Sequence, residues 1–134
     1  MATSRKQKST GTIGVIGAGV MGQAIAESLL ERKIVSRDNL WGVTLTHDSA
    51  RDVEKKLGIR CLYKSYDGLL KKTDILLLCV KPSQCLSVLP QLRKAGLPKS
   101  ALVISIVTGV TTGAMQGKLN GNPIVRAITN TPCL

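Results

Sequence analysis

The sequence predicts an α/β domain built on a doubly wound parallel sheet, and three observations carry that prediction. Short apolar runs alternate with helix-compatible segments along nearly all of the 134 residues. The first of these runs, Ile13-Gly14-Val15-Ile16, passes straight into Gly17-Ala18-Gly19-Val20-Met21-Gly22. Asp74 to Val80 is apolar throughout after its first residue, the pattern of a strand covered on both faces. Strands separated by helices at this spacing must be parallel, because each helix carries the chain back over the sheet. Right-handed crossovers then place helices on both faces.

The elements follow in order. After the glycine-rich turn, Gln23 to Lys33 reads as a helix, Asn39 to Leu45 as a second strand, and Ser49 to Leu57 as a surface helix closed by Gly58. Ile59 to Tyr63 supplies a short third strand and Tyr66 to Lys72 a brief helix before the central strand Asp74 to Val80. Pro82 suits the first turn of the helix Ser83 to Ala95, where its missing N–H costs little, whereas Pro90 is expected to kink or split that helix. Ala101 to Val107 is a β-branched strand, Thr111 to Leu119 a helix and Pro123 to Ile128 a last strand. Residues 1–10 read as a flexible basic leader and residues 11–134 as one domain.

Composition narrows the class. Aromatic residues make up only 2% of the chain (Trp41, Tyr63, Tyr66 and no Phe), so the core must be built from Val, Ile, Leu and Ala. Nineteen Lys and Arg against eight Asp and Glu leave a net charge of +11, which attracts polyanions of every kind. Nucleic acid is disfavoured because no aromatic series offers bases a stacking platform, and Lys55-Lys56 and Lys71-Lys72 read as solvated helix faces. Cys61, Cys79, Cys85 and Cys133 have neither Cys-x-x-Cys pairing nor a His at zinc-ligand spacing, so no metal site is expected. Cys79 reads as a core thiol, and unpaired cysteines suit a reducing, cytoplasmic compartment. No apolar run is long enough to span a membrane or to serve as a signal peptide.

Gly17-x-Gly19-x-x-Gly22 between a strand and a helix is the dinucleotide-binding pattern. Glycines permit the tight turn, the approach of backbone to a pyrophosphate and close packing of helix on strand. The helix then offers free N–H groups and the positive end of its dipole to the phosphates. In doubly wound sheets ligands lie beyond the carboxyl ends of the strands. The turns at Gly17 to Gly22, Thr44 to Ser49, Val80 to Ser83, Thr108 to Thr111 and Thr129 to Pro132 are therefore expected to line one crevice. NAD is selected in such folds by an acidic residue at the end of the second strand; here that place holds Thr44-Leu45-Thr46-His47, with Asp48 following late. Hydroxyls, the His47 imidazole and the Arg51 guanidinium suit a 2′-phosphate, so NADP is favoured over NAD. The competing reading makes Ser49 a helix cap and leaves His47 and Arg51 as solvated surface.

Four segments together resemble the amino-terminal domain of the pyrroline-5-carboxylate reductases. They are Ile16 to Ala26, Asp74 to Pro82 with its Val80-Lys81-Pro82, Leu102 to Val110, and Val125 to Pro132 with its Asn130-Thr131-Pro132. The resemblance implies a Rossmann-type domain in an NADPH-dependent reductase of a cyclic imine, which takes hydride at its C=N carbon to give proline. It implies that Gly17, Ala18, Gly19, Val20, Met21 and Gly22 hold the pyrophosphate, and that Thr44 to His47, Thr46 among them, surround the adenosine ribose phosphate, beside the Arg51 that the residue chemistry adds. It places Val80, Lys81, Pro82, Thr108 and Gly109 at the nicotinamide ribose, with Asn130 near the nicotinamide and substrate and no separate catalytic residue or metal.

The sequence departs from that pattern at several positions. Ile128-Thr129 stands where the family has Met-Pro, Thr108 stands where it has alanine, and Tyr66 stands where some members place an asparagine. Members of the family continue into a helical domain that forms the dimer or higher oligomer and completes the imine site. The 134 residues are thus expected to form a cofactor half with little turnover and an uncovered apolar surface near Val125 to Leu134. Two alternatives stay open: another oxidoreductase on the same domain, of the β-hydroxyacid dehydrogenase or F420-dependent NADP reductase type, and a non-catalytic NADP-binding module.

Overall fold

In the computed structural model, which describes residues 11–66 and 68–128, six strands form a single sheet in the order β3-β2-β1-β4-β5-β6. They are β1 (Ile13–Ile16), β2 (Leu40–Thr44), β3 (Arg60–Tyr63), β4 (Ile75–Leu78), β5 (Leu102–Ser105) and β6 (Ile124–Arg126), and every neighbouring pair is parallel. Between them run α1 (Val20–Glu31), α2 (His47–Leu57), α3 (Pro82–Lys94) and α4 (Thr112–Gln116), with short 3-10 turns at Arg37–Asn39 and Leu69–Lys72. The chain builds outward from β1 to β2 and β3, then returns to pair β4 with the other side of β1. That reversal opens a crevice beyond the carboxyl ends of β1, β2 and β4, where Ile16 pairs with both Val43 and Leu78.

Side chains leave the strands alternately to the two faces, and each face has its own core. Ile13 and Val15 of β1 and Leu77 of β4 pack with Ala26 of α1 and with Ala50, Val53 and Leu57 of α2. Ile16, Leu76 and Leu78 pack with Cys85, Leu89 and Leu92 of α3 and Met115 of α4. Aliphatic side chains supply nearly all of this burial, as the lack of aromatics requires. Among the described residues the fully buried aromatic is Trp41 on β2, its indole N–H donating to Thr73 Oγ1 at 2.9 Å. The Thr73 hydroxyl donates in turn to the Leu69 carbonyl at 2.8 Å, which fastens the 3-10 turn before β4 to the sheet.

Five local expectations are corrected. Helix α1 begins at Val20, not Gln23, because Gly19 takes the extended cap conformation and the helix starts inside the glycine motif; it ends at Glu31. Helix α2 starts two residues early, at His47, because Thr46 rather than Ser49 is its cap: Thr46 Oγ1 accepts the Ser49 N–H at 3.1 Å. Pro90 does not split α3, which runs unbroken from Pro82 to Lys94. Pro90 lies on the exposed face, so water can satisfy the Leu86 carbonyl it leaves unbonded, while Cys85, Leu89 and Leu92 hold the opposite face in the core. The segment Tyr66 to Lys72 is ordered as a 3-10 turn over Leu69–Lys72 rather than an α-helix, and α4 is only five residues long. Among the described residues no helix is long and apolar enough to cross a membrane. At the last strand Val125 is half exposed and Ile128 almost wholly so.

Candidate cofactor site

The glycine turn is fixed from three sides. The N–H groups of Gly17 and Ala18 both donate to the Val43 carbonyl, at 3.1 and 3.0 Å, which ties the turn to the end of β2. Gly17 has φ +87°, and a Cβ there would meet the Cys79 carbonyl and the Val80 nitrogen at 2.9 Å, so the turn also lies flat against the end of β4. Gly22, in the first turn of α1, sits directly on the Gly17 carbonyl oxygen, which a Cβ would approach to 2.7 Å. The Gln23 amide side chain donates back to the Ala18 carbonyl at 3.0 Å. Gly19 differs from these: a Cβ at this position would meet nothing within 4 Å. Its bare backbone borders the cleft at the start of α1, whose first N–H groups have no intrahelical partner and whose first turn carries no acidic residue.

In front of this turn lies a cleft of about 650 Å³. One wall is the turn itself, with Gly17, Ala18 and Gly19; another is Thr44, Leu45, Thr46 and Ser49 at the end of β2 and start of α2. Cys79, Val80 and Lys81 come from the end of β4, and Lys64 and Tyr66 from the chain after β3. The last wall is one stripe of α3, with Gln84, Ser87, Val88 and Gln91 at helical i, i+3, i+4 and i+7 spacing. The described lining contains two lysines, Lys64 and Lys81, and no carboxylate.

The structure therefore brings together Gly17, Ala18, Gly19, Thr44, Thr46, Val80 and Lys81 of the residues expected from sequence. Val20 and Met21 occupy the first turn of α1, with Val20 exposed, and Gly22 is buried beneath the glycine turn; none of the three lines the cleft. His47 lies outside it too, its ring edge-on to Tyr63 with centroids 6.0 Å apart, as do Arg51 one turn further along α2 and Pro82 at the start of α3. Thr108 and Gly109 are exposed beyond the end of β5, two strands from β1, on the same edge of the sheet but past this cleft. Asn130, Thr129, Thr131 and Pro132 lie outside the described residues, as do residues 1–10.

Sequence reasoning missed Lys64 and the α3 stripe. The stripe was readable as helical periodicity, whereas Lys64 gave no signal of its own. Cys79 is not a fully buried core thiol but half-buried in the cleft wall, and burial pushes its pKa up to about 12. It is a neutral, weakly polar surface at physiological pH rather than a nucleophile. Burial likewise raises the Tyr66 phenol, and burial together with the nearby Glu54 carboxylate pushes the Cys61 thiol up to about 11. Among the described residues no group of His, Cys, Asp or Glu could hold a metal ion.

Residues 12–109 match the family described as NADP oxidoreductase, coenzyme F420-dependent. The chain belongs to this family. Within it, the chain corresponds to the amino-terminal NADP-binding domain of the pyrroline-5-carboxylate reductases. It is 36% identical over 121 residues to the pyrroline-5-carboxylate reductase of Methanosarcina acetivorans, covering 88% of this chain and 43% of that one. It is 33% identical over 123 residues to the Escherichia coli enzyme of the same name, covering 91% of this chain and 45% of that one. Among solved structures, the Coxiella burnetii pyrroline-5-carboxylate reductase superposes with TM-score 0.82 at 30% identity, over 92% of this chain and 45% of that one. The Plasmodium falciparum enzyme with NADP bound does so with TM-score 0.75 at 28% identity, over 93% and 44%. The chain thus spans less than half the length of these relatives.

Proposed function

We propose that this domain binds NADPH in the cleft and presents its nicotinamide for reduction of 1-pyrroline-5-carboxylate to proline, in a cytoplasmic setting. The observation that carries the reading is the convergence of the glycine turn, the hydroxyl-bearing end of β2 and Lys81 on one cleft whose described lining has no carboxylate. The residues present fit the cofactor. Bare backbone at Gly19 leaves room for phosphate against the start of α1, and nothing in the described lining would repel a 2′-phosphate.

When bound, the reduced nicotinamide supplies hydride from C4. The chain contributes binding and orientation. The turn and the first N–H groups of α1 hold the pyrophosphate, Lys81 adds positive charge at the end of β4, and the α3 stripe with Val80 and neutral Cys79 walls the cleft against water. Asn130 is proposed near the nicotinamide and substrate, and Thr108 with Gly109 on the continuing edge of the sheet. A small imine is the proposed substrate, acting in an oligomer of the kind expected for full-length relatives.

The description of the matching family also favours a second reading, hydride exchange between NADP and coenzyme F420. A chimera separates the two: this chain replaces the matching region of the Methanosarcina acetivorans enzyme, and NADPH oxidation is followed with each acceptor. Proline formation supports the imine reading. Reduction of coenzyme F420 or of an oxo acid instead would move the protein to another oxidoreductase class, and NADPH binding without transfer to any acceptor would favour a binding module.

A further inference from the structure

In dinucleotide-binding folds the residue that reads the adenosine 2′ position ordinarily stands at the end of β2. Here the side chains at that place are committed to one another. Thr44 Oγ1 donates to the Thr46 carbonyl at 2.8 Å, and Thr46 Oγ1 donates to Ser49 Oγ at 2.6 Å while accepting the Ser49 N–H. Thr44 thus keeps no proton for a ligand, and the Thr46 and Ser49 hydroxyls, bonded to each other, have one proton left to offer between them. His47 packs against Tyr63, and neither it nor Arg51 borders the cleft.

A cation reaches this end of the cleft from the next strand instead. Lys64 directly follows β3, and its backbone N–H donates to the Thr44 carbonyl at 3.2 Å, which pins it beside the end of β2. Its Nζ lies 5.5 Å from the centroid of the Tyr63 ring, and the residue lines the cleft together with Thr46 and Ser49. The two lining lysines stand on opposite sides of the glycine turn: Lys81 follows β4, next to β1, and Lys64 follows β3, beyond β2. A dinucleotide whose pyrophosphate sits on the start of α1 lays its adenosine over β2, so an added phosphate on that ribose falls on the Lys64 side.

We propose that Lys64 binds the 2′-phosphate of the cofactor and, with the Ser49 hydroxyl, sets the preference for NADP over NAD. The assignment rests on the NADPH reading above. A lysine suits the task as a mobile point charge on a long stem, reaching a phosphate without the planar fit an arginine needs.

Calorimetric titration of the protein with NADPH, NADH, 2′,5′-ADP and 5′-ADP tests the proposal, using Lys64→Ala and Lys64→Asn. Lys64 is exposed with φ +50°, a backbone conformation that asparagine accepts well, so the second variant removes the charge without disturbing the turn. The expected result is a loss of about tenfold or more in affinity for NADPH and 2′,5′-ADP in both variants, with NADH and 5′-ADP unchanged within about twofold. A wild-type preference for the 2′-phosphorylated ligands that persists in both variants would overturn the Lys64 assignment while leaving the NADPH reading intact. An equal loss for all four ligands would reduce Lys64 to a structural role. A wild-type protein that does not favour the 2′-phosphorylated ligands would overturn the NADPH reading and the assignment with it.

Discussion

Gly22 rests on Gly17 so closely that a methyl group on Gly22 would stand 2.7 Å from the Gly17 carbonyl oxygen and 3.1 Å from Val15 Cγ1. The contact sets the distance between α1 and the sheet, and with it the position of the helix start before the cleft. Gly22→Ala must push α1 outward. It is expected to cost about 1–3 kcal/mol in stability by denaturant unfolding, and to weaken NADPH binding as well.

Gly19→Ala separates these two effects. Gly19 caps α1 with φ −82° and ψ −153°, at the edge of the extended region, but a Cβ there meets no protein atom within 4 Å, so the loss of stability should stay within about 1 kcal/mol. The same methyl group stands at the border of the cleft where phosphate is proposed to lie. NADPH affinity is expected to fall by about tenfold or more in titration, since a contact at this position displaces the phosphate from the helix N–H groups.

Thr73→Val removes the partner of a buried indole N–H and leaves the shape of the side chain nearly unchanged. An unsatisfied buried donor costs about 1–3 kcal/mol. Urea denaturation should show that loss, while the folded variant binds NADPH as the wild type does, because Trp41 and Thr73 lie outside the cleft lining.

Pro90→Ala should stabilise the protein. It returns an N–H to the middle of α3, where the Leu86 carbonyl can accept it, on an exposed face with no packing to lose. A gain of about 1 kcal/mol or more in denaturant unfolding is expected, part of the roughly 3 kcal/mol that proline costs in a helix interior.

The thiols make stability fall at high pH. Cys79 and Cys61 have pKa values raised from 9.0 to about 12 and about 11 in the folded protein, mainly by burial. Between the unfolded and folded values the unfolded chain has lost a proton that the folded chain keeps. The contribution to stability is therefore complete below pH 9 and disappears as pH rises through 11 to 12. From pH 8 to pH 10 each thiol should contribute a loss of about 1 kcal/mol, and Cys79→Ala should flatten that slope whatever its effect on absolute stability.

Much of this was legible in the sequence because it rests on patterns with local physical causes. Uninterrupted apolar runs such as Leu76-Leu77-Leu78 marked strands buried on both faces, and the spacing of strands and helices gave the doubly wound sheet. The glycine motif located the cleft, since a turn that must touch β4, β2 and α1 together tolerates little else. Boundaries were less legible because they depend on caps. Ser49 reads as a cap in sequence, and only the hydrogen bond from its N–H to Thr46 Oγ1 shows that α2 starts earlier. Lys64 was invisible for a different reason: it enters the site through the pairing of β3 with β2, a contact between Thr44 and Lys64 across 20 positions. The split expected at Pro90 does not occur because Cys85, Leu89 and Leu92 hold the helix in the core on either side of it.

Whether this cleft is an NADP site is decided by titrating the wild-type protein with NADPH and NADH at low and at high salt. A chain of net charge +11 attracts any phosphate at low ionic strength, so only the preference that survives screening reports the cleft. Saturable NADPH binding that stays tighter than NADH by about tenfold or more at high salt is expected. Equal or tighter binding of NADH, or no saturable binding of either, would contradict it.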